Sequence, residues 1–293
     1  MSVTLLNDVS QQIVEKWAPV FTDELKESSL LASLVSREYQ GDIGPNGNSV
    51  KVSQIDRPSA ERKTIGTAGS DSFASAKVTT KQVEVVADQR ITASYEFEDL
   101  VELQSQIGAQ DSKMRAGLVE ALEIDLNSYL YSLVAPIGAA PDHTITGVTD
   151  FNAGQISNLN KLAQQAKWRK DKGYWLMVDP SYYKDLLDAT TLTSQDQVPD
   201  RPVVAGQFAT QRFGFNILAD NSAGLASLSA SGEDAALAFQ PDFMYLVMQR
   251  EPRFQLSSKH AMKQHGFVLS VDMIVGAKLG IDGDRKHITV INS

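Results

Sequence analysis

The 293-residue chain contains no cysteine. Disulfides, thiolate metal sites and thiol nucleophiles are therefore excluded, and redox chemistry points to no compartment. Long hydrophobic runs are missing as well. No segment approaches the roughly 20 apolar residues that span a bilayer, and the N-terminus, MSVTLLNDVSQQIVEKW, lacks the basic start and apolar stretch of a secretory signal. The expectation is a chain neither led to export nor embedded in a membrane. Positive charge is in deficit: 27 lysines and arginines face 36 aspartates and glutamates, a formal charge of -9. Dedicated nucleic-acid binders gain affinity by neutralising phosphates, so that class is disfavoured. There is no glycine-rich phosphate loop, HExxH, GxSxG elbow or calcium-loop spacing. The motifs that carry a defined mechanism are thus absent, and no cofactor is expected.

What the chain does have is 42% apolar residues, enough to build the core of one large domain or two. The longest periodic stretch is Asp111 to Val134, DSKMRAGLVEALEIDLNSYLYSLV. On a 3.6-residue period Met114, Leu118, Leu122, Leu126, Tyr129, Leu130 and Leu133 share one face, with Val119 at its edge, which predicts an amphipathic helix about 36 Å long. Asp111 or Ser112 can cap its start, and Ala135-Pro136-Ile137-Gly138 followed by Pro141 stops it. Ile124 and Tyr131 lie opposite the leucine stripe, so a second surface is expected to rest on the helix. That surface belongs either to the same domain or to a neighbouring subunit. Asp125 at the stripe's edge and Arg115 inside it suggest a buried ion pair.

Before this helix lie an arm and a long excursion. Leu6, Val9, Ile13, Val14 and Trp17, then Phe21, Leu25, Leu30, Leu31, Leu34 and Val35, form short amphipathic pieces that cannot bury their faces on each other. GDIGPNGN introduces a strand over Ser49 to Ile55, in which Val50 and Val52 alternate. Residues 56 to 76 are polar and cannot form a core of their own. Lys77 to Ala93 reads as one long strand, with Val78, Thr80, Val83, Val85, Ile91 and Ala93 and room for a bulge. Two strands flanking a polar tip predict a long hairpin.

After the helix, residues 141 to 241 read as a mixed α/β region. It holds a helix near Gly154 to Ala166, a buried strand Tyr174 to Val178, and a helix opened by Asp179-Pro180, the pairing of N-cap and first-turn proline. A polar loop over 190 to 212, a strand Phe213 to Leu218 and a strand Ala235 to Phe239 follow. The tail alternates strands at Met244 to Gln249, Phe254 to Ser257, Gly266 to Leu279 and His287 to Ile291.

Candidate chemistry is sparse. His260 and His265 stand five apart near Asp272, but a separation of five in a strand places two rings on opposite faces, so they are read as surface histidines. KWRKDKGYW interleaves Lys167, Arg169, Lys170 and Lys172 with Trp168, Tyr174 and Trp175, as single-strand binders do; a solvated helix end before a buried strand explains it equally well.

The order of parts is the strongest signal. SREYQGDIGPNGNSVKV, ALEIDLNSYLYSLV, YWLMVDPSYYKDLL, AGQFATQRFGFNILADN and VGAKLGIDGDRKHITVINS, in this order and spacing, look like stretches of the major capsid proteins of tailed bacteriophages. Over nearly its whole length the chain resembles that family and its Hong Kong 97-type fold. The resemblance implies an α+β chain with an N-arm at 1 to 40, an E-loop at 41 to 92, a P-domain at 93 to 140 and 242 to 293, with the last strand unassigned, and an A-domain at 141 to 241. It implies that Arg57, Glu61, Arg62, Lys63, Ile65 and Phe73 of the E-loop touch neighbouring subunits, while Met114, Leu118, Leu122, Leu126, Tyr129 and Leu133 form the spine helix. It also implies a non-enzymatic protein of the virion, assembled in the host cytoplasm from pentamers and hexamers of itself around double-stranded DNA that it does not read. A separate scaffolding protein or an already trimmed chain, a portal and in some cases a decoration protein would be its partners. Some relatives join subunits through an E-loop lysine and an asparagine; Lys77 and Lys81, with Asn216 and Asn221, are the residue types in reach, and cross-linking is not expected because strand lysines stay solvated. An encapsulin-type compartment shares the implied fold, and the reading from another class is an α/β enzyme with a pocket near Asp179 and Asp220.

Overall fold

The computed structural model describes residues 27, 29–39, 47–67, 72–73, 75–97, 111–134, 144–189, 211–229, 232, 234–259 and 265–292. The amphipathic arm before residue 27, the stop after the long helix, the polar loop over 190 to 210 and His260 lie outside them.

Among the described residues the architecture is α+β, built on one long helix and three sheets. Strands β1 (Ser49–Ile55) and β2 (Thr80–Val86) pair antiparallel as the expected hairpin, in a register running from Ser49 opposite Val86 to Ile55 opposite Thr80. The single strand expected over Lys77 to Ala93 is in fact two. The chain leaves the hairpin at Ala87-Asp88 and begins β3 (Gln89–Phe97) in a different sheet. High β propensity on both sides conceals the switch, because propensity reports a pleated environment and not the identity of the partner strand.

In that second sheet β3 pairs with β10 (Phe267–Leu279), which pairs with β9 (Met244–Ser258). The two strands expected at 244–249 and 254–257 are one strand of 15 residues. Register shifts around Ile274 absorb the irregular middle, and Pro252 is tolerated because β9 is an edge. Helix α2 runs from Asp111 to Val134, both as expected. Leu118, Leu122, Leu126 and Leu130 are buried against Leu269, Val271, Met273 and Val275 of β10, while Met114, Tyr129 and Leu133 close the edges. The short helix α1 (Leu31–Leu34) adds Leu31 and Val35 to the same core, so the arm's last apolar patch is a packed element.

The third sheet has six strands in the order β4 (Thr144–Ile145), β11 (His287–Ile291), β8 (Ala235–Phe239), β5 (Tyr174–Val178), β7 (Phe215–Ala219) and β6 (Gln211–Arg212). It is covered on one side by α3 (Ala153–Gln165) and α4 (Pro180–Asp188), which pack Ile156, Leu159, Tyr182 and Leu186 on Leu176, Val178 and Ile217. The other side joins the core around α2 through Met177, Leu237 and Phe239. Every residue of β8 is buried, as a central strand with both faces covered requires. The last strand therefore belongs here, between β4 and β8, and not with the sheet under the long helix. The expected strand start at Phe213 is also corrected: Phe213 (φ 48°) and Gly214 (φ 86°) make the two-residue turn between β6 and β7.

The second surface on α2 is supplied by its own chain. Tyr131, fully buried, meets helix α5 (Ala223–Ala226) at Gly224 and donates a 2.6 Å hydrogen bond to Asp220, which is also fully buried. Asp125 is exposed and Arg115 lies 5.2 Å over the ring of Phe254, so the buried ion pair expected of these two does not form. Burial, and next the charge of Asp220, hold the Tyr131 phenol far above its ordinary pKa of 10.0. Burial likewise lifts Tyr245, to about 12. The protonated phenols are favoured by the fold, so this contribution is complete below about pH 10 and is lost as pH rises through the raised values. Stability against denaturant should be flat from neutrality to about pH 10 and fall above it. Tyr131→Phe should lower it by about 1.5 to 3 kcal/mol at pH 7, since a hydrogen bond to a buried charge goes, and make the alkaline fall shallower.

Candidate functional site

The hairpin is the part of the molecule whose surface is hardest to explain within one subunit. At its base Val50, Val52 and Val85 are buried with Tyr245, Val247 and Ile281, and Tyr39 meets Tyr245 edge-on at 5.2 Å. Gln249 Nε2 donates to the carbonyl of Gly47 at 2.8 Å, and the Lys81 ammonium pairs with Asp282 at 2.9 Å. That hydrogen bond and its charge raise the Lys81 pKa, so its amine is held protonated and is a poor nucleophile. The crossing from β2 to β3 is close: a Cβ on Gly276 would sit 2.0 Å from the Val86 carbonyl oxygen.

Beyond the base, burial vanishes. Ile55 is 68% exposed, Val78 76%, Phe73 86% and Ile65 96%, although each would gain about 1.5 to 3 kcal/mol from burial. Arg57, Glu61 and Arg62 are exposed around them. Lys63 approaches Glu61 at 3.4 Å and donates to the Ser72 hydroxyl at 3.1 Å, tying together the two sides of the loop. The expected E-loop residues thus lie on one exposed loop between β1 and β2, whereas the spine residues Met114, Leu118, Leu122, Leu126, Tyr129 and Leu133 are packed inside the subunit. Ile55 and Val78 were not among the expected contacts. Their signal was parity: Val50 and Val52 point inward, so Ile55 points outward, and Val78 stands in the same relation to Val83 and Val85.

The other candidates lose their chemistry. Asp179 caps α4, accepting from the Ser181 N–H at 3.2 Å, and Asp220 is engaged with Tyr131, so neither is available in a pocket for catalysis. Trp168 is buried with its indole N–H donating to the Arg285 carbonyl at 2.6 Å, and it stacks edge-on to buried Tyr174; no ring face is offered to a base. Asp272 is held between Arg90 at 3.0 Å and Arg250 at 3.1 Å and is not a partner of His265. Among the described residues no group of three or more metal-ligating side chains occurs, and no helix is long and apolar enough to cross a membrane.

No protein-family model matches the sequence, and no curated protein is similar to it. The fold has clear relatives. A structure from Mycobacterium phage Che8 is 20% identical with a TM-score of 0.76, over 95% of this chain and 96% of that one. The capsid of Cyanophage P-SCSP1u is 13% identical with a TM-score of 0.73, over 99% and 97%. The capsid asymmetric unit of Cyanophage Pam1 is 9% identical with a TM-score of 0.72, over 96% of each. Along nearly its entire length, this chain has the α+β fold found in phage capsid structures.

Proposed function

We propose that this chain is the major capsid protein of a tailed bacteriophage, a structural protein without enzymatic activity that assembles as pentamers and hexamers into the icosahedral shell around double-stranded DNA. The observation that carries the reading is the likeness of fold to phage capsids over 95 to 99% of the chain. In a Hong Kong 97-type organisation residues 1 to 40 would be the N-arm and 41 to 92 the E-loop, 93 to 140 with 242 to 293 the P-domain and 141 to 241 the A-domain; two of these bounds shift, because β3 from Gln89 pairs in the P-domain sheet and the last strand pairs in the A-domain sheet. Apolar residues on the exposed loop of the hairpin support it, because burial denied within a subunit is available against another copy. The net charge of -9 suits a lining that must not hold phosphate tightly. A scaffolding protein, a portal and a decoration protein are candidate partners, and an encapsulin-type compartment is the less favoured reading because the named neighbours are phage structures.

Purified full-length protein should form closed shells and capsomers in sedimentation velocity and negative-stain images. Monomers and dimers alone, under all salt conditions and with scaffold present, would overturn the proposal. Particles boiled in detergent should run as one band near 32.0 kDa, since Lys81 is protonated and paired; a ladder of heavier bands would show cross-linking.

A further inference from the structure

A cleft of about 480 Å³ lies where the hairpin meets the six-stranded body, walled by Gln54 of β1, Lys167 and Arg169 after α3, and Asp242, Arg285 and Lys286. In a chain of net charge -9 this is a positive concavity: four cations face two carboxylates, Asp242 and Asp282. Each carboxylate already holds a cation, Asp242 through Oδ2 with Lys286 at 3.1 Å and Asp282 with Lys81 at 2.9 Å, and Arg169 is paired with Asp171; Asp242 Oδ1 is buried without a hydrogen-bond partner among the described residues. Lys167 and Arg285 are left, among the described residues, without a carboxylate partner. The floor between them is rigid, since buried Gln240 exchanges hydrogen bonds with the Arg169 backbone and buried Trp168 donates to the Arg285 carbonyl.

Lys167 is also placed against local preference. The Lys167 N–H donates to the Gln164 carbonyl and the Trp168 N–H to the Ala163 carbonyl, the closure that ends a helix with a left-handed residue, ordinarily glycine. Lys167 occupies that position at φ 62°. A lysine held there at a conformational cost, lining a cleft beside an arginine that has no carboxylate partner among the described residues, calls for an anion.

We infer that this cleft receives an acidic side chain of a second copy of this chain, seated between Lys167 and Arg285. The inference rests on the proposed self-assembly. A carboxylate brings one charge into the gap and matches the guanidinium fork. A phosphodiester chain would bring a run of charges past Asp171, Asp242 and Asp282, and among the described residues the one aromatic lining the cleft, Trp168, is buried. Copies that each carry -9 must also offset mutual repulsion, and complementary patches do so while fixing register.

The test uses full-length protein in isotope-labelled and unlabelled mixtures. Zero-length carbodiimide coupling, which joins an amine only to a touching carboxylate, should yield a mixed-isotope peptide linking Lys167 to an aspartate or glutamate of another copy. Lys167→Gln with Arg285→Gln should fold as the parent does yet associate about tenfold more slowly, with a weaker salt dependence. Lys167→Gly should melt no lower than the parent, because glycine suits the left-handed position, and should still lose the coupling and associate slowly. No intermolecular Lys167 peptide together with parent-like association of these variants would overturn the inference, as would loss of duplex DNA binding with assembly unchanged. If the parent forms no shells but its small oligomers couple through Lys167, the capsid reading fails and the cleft assignment stands.

Discussion

Replacing residues 57 to 78 by Asn-Gly should leave a folded subunit that no longer forms stable shells. The Asp56 N–H donates to the Thr79 carbonyl at 2.9 Å, so the ladder already extends one step past Ile55 and Thr80, and Asn-Gly suits the tight turn that would join its ends. Little of the fold is removed. In the replaced stretch the large apolar side chains are Ile65, Phe73 and Val78, all mostly exposed, and the anchoring contacts of Val50, Val52, Val85 and Lys81 remain. Ordering more than twenty residues costs about 1 to 2 kcal/mol each, and three side chains of about 1.5 to 3 kcal/mol each do not offset that within the subunit. On a second copy the same side chains can be buried and Arg57, Glu61 and Arg62 can find opposite charges. The circular dichroism spectrum and a cooperative melt should match the parent, while sedimentation should show no shells. Normal particles from this variant would show that the tip is no clamp between subunits, and an unfolded aggregate would place it in the core.

Gly276→Ala should produce the largest loss of stability of any single methyl added to the chain's described glycines. The new Cβ would lie 2.0 Å from the Val86 carbonyl oxygen and 2.7 Å from the Ala87 Cα, and both obstacles are backbone. No rotamer can relieve such a contact, so either the three-stranded sheet or the crossing from hairpin to sheet must shift. Overpacking a buried site typically costs about 1 to 3 kcal/mol, and a backbone clash this close belongs at or above about 3 kcal/mol. At about 2 °C per kcal/mol for a chain of this size, the midpoint should drop by roughly 6 °C or more. Gly66→Ala is the control for glycine loss without a clash, since nothing lies within 4 Å there, although its φ of 87° carries its own strain. A melt of Gly276→Ala within a degree of the parent would mean that hairpin and sheet do not cross as described. If Gly276→Ala folds but assembles poorly, the angle of the hairpin is itself part of the assembly geometry.

Much of this was legible in the residues alone. The limits of α2, of β1, of β5 and of β8, and the capped start of α4 at Asp179-Pro180, followed from periodicity, caps and turn chemistry, which act over a few residues and are written where they act. The exposed loop was legible from the lack of apolar residues over 56 to 76. What the sequence could not determine was which distant segments would meet. The change of sheet at Ala87-Asp88, the continuity of β9 through Pro252, the seating of the last strand between β4 and β8, and the bond from Tyr131 to Asp220 join residues far apart in the chain. The same holds for the cleft, whose Lys167 and Arg285 read singly as ordinary surface charges. Strand partners and buried polar pairs are selected by the packing of the whole, because a β-strand exposes identical donors and acceptors to any neighbour and only tertiary burial discriminates among them.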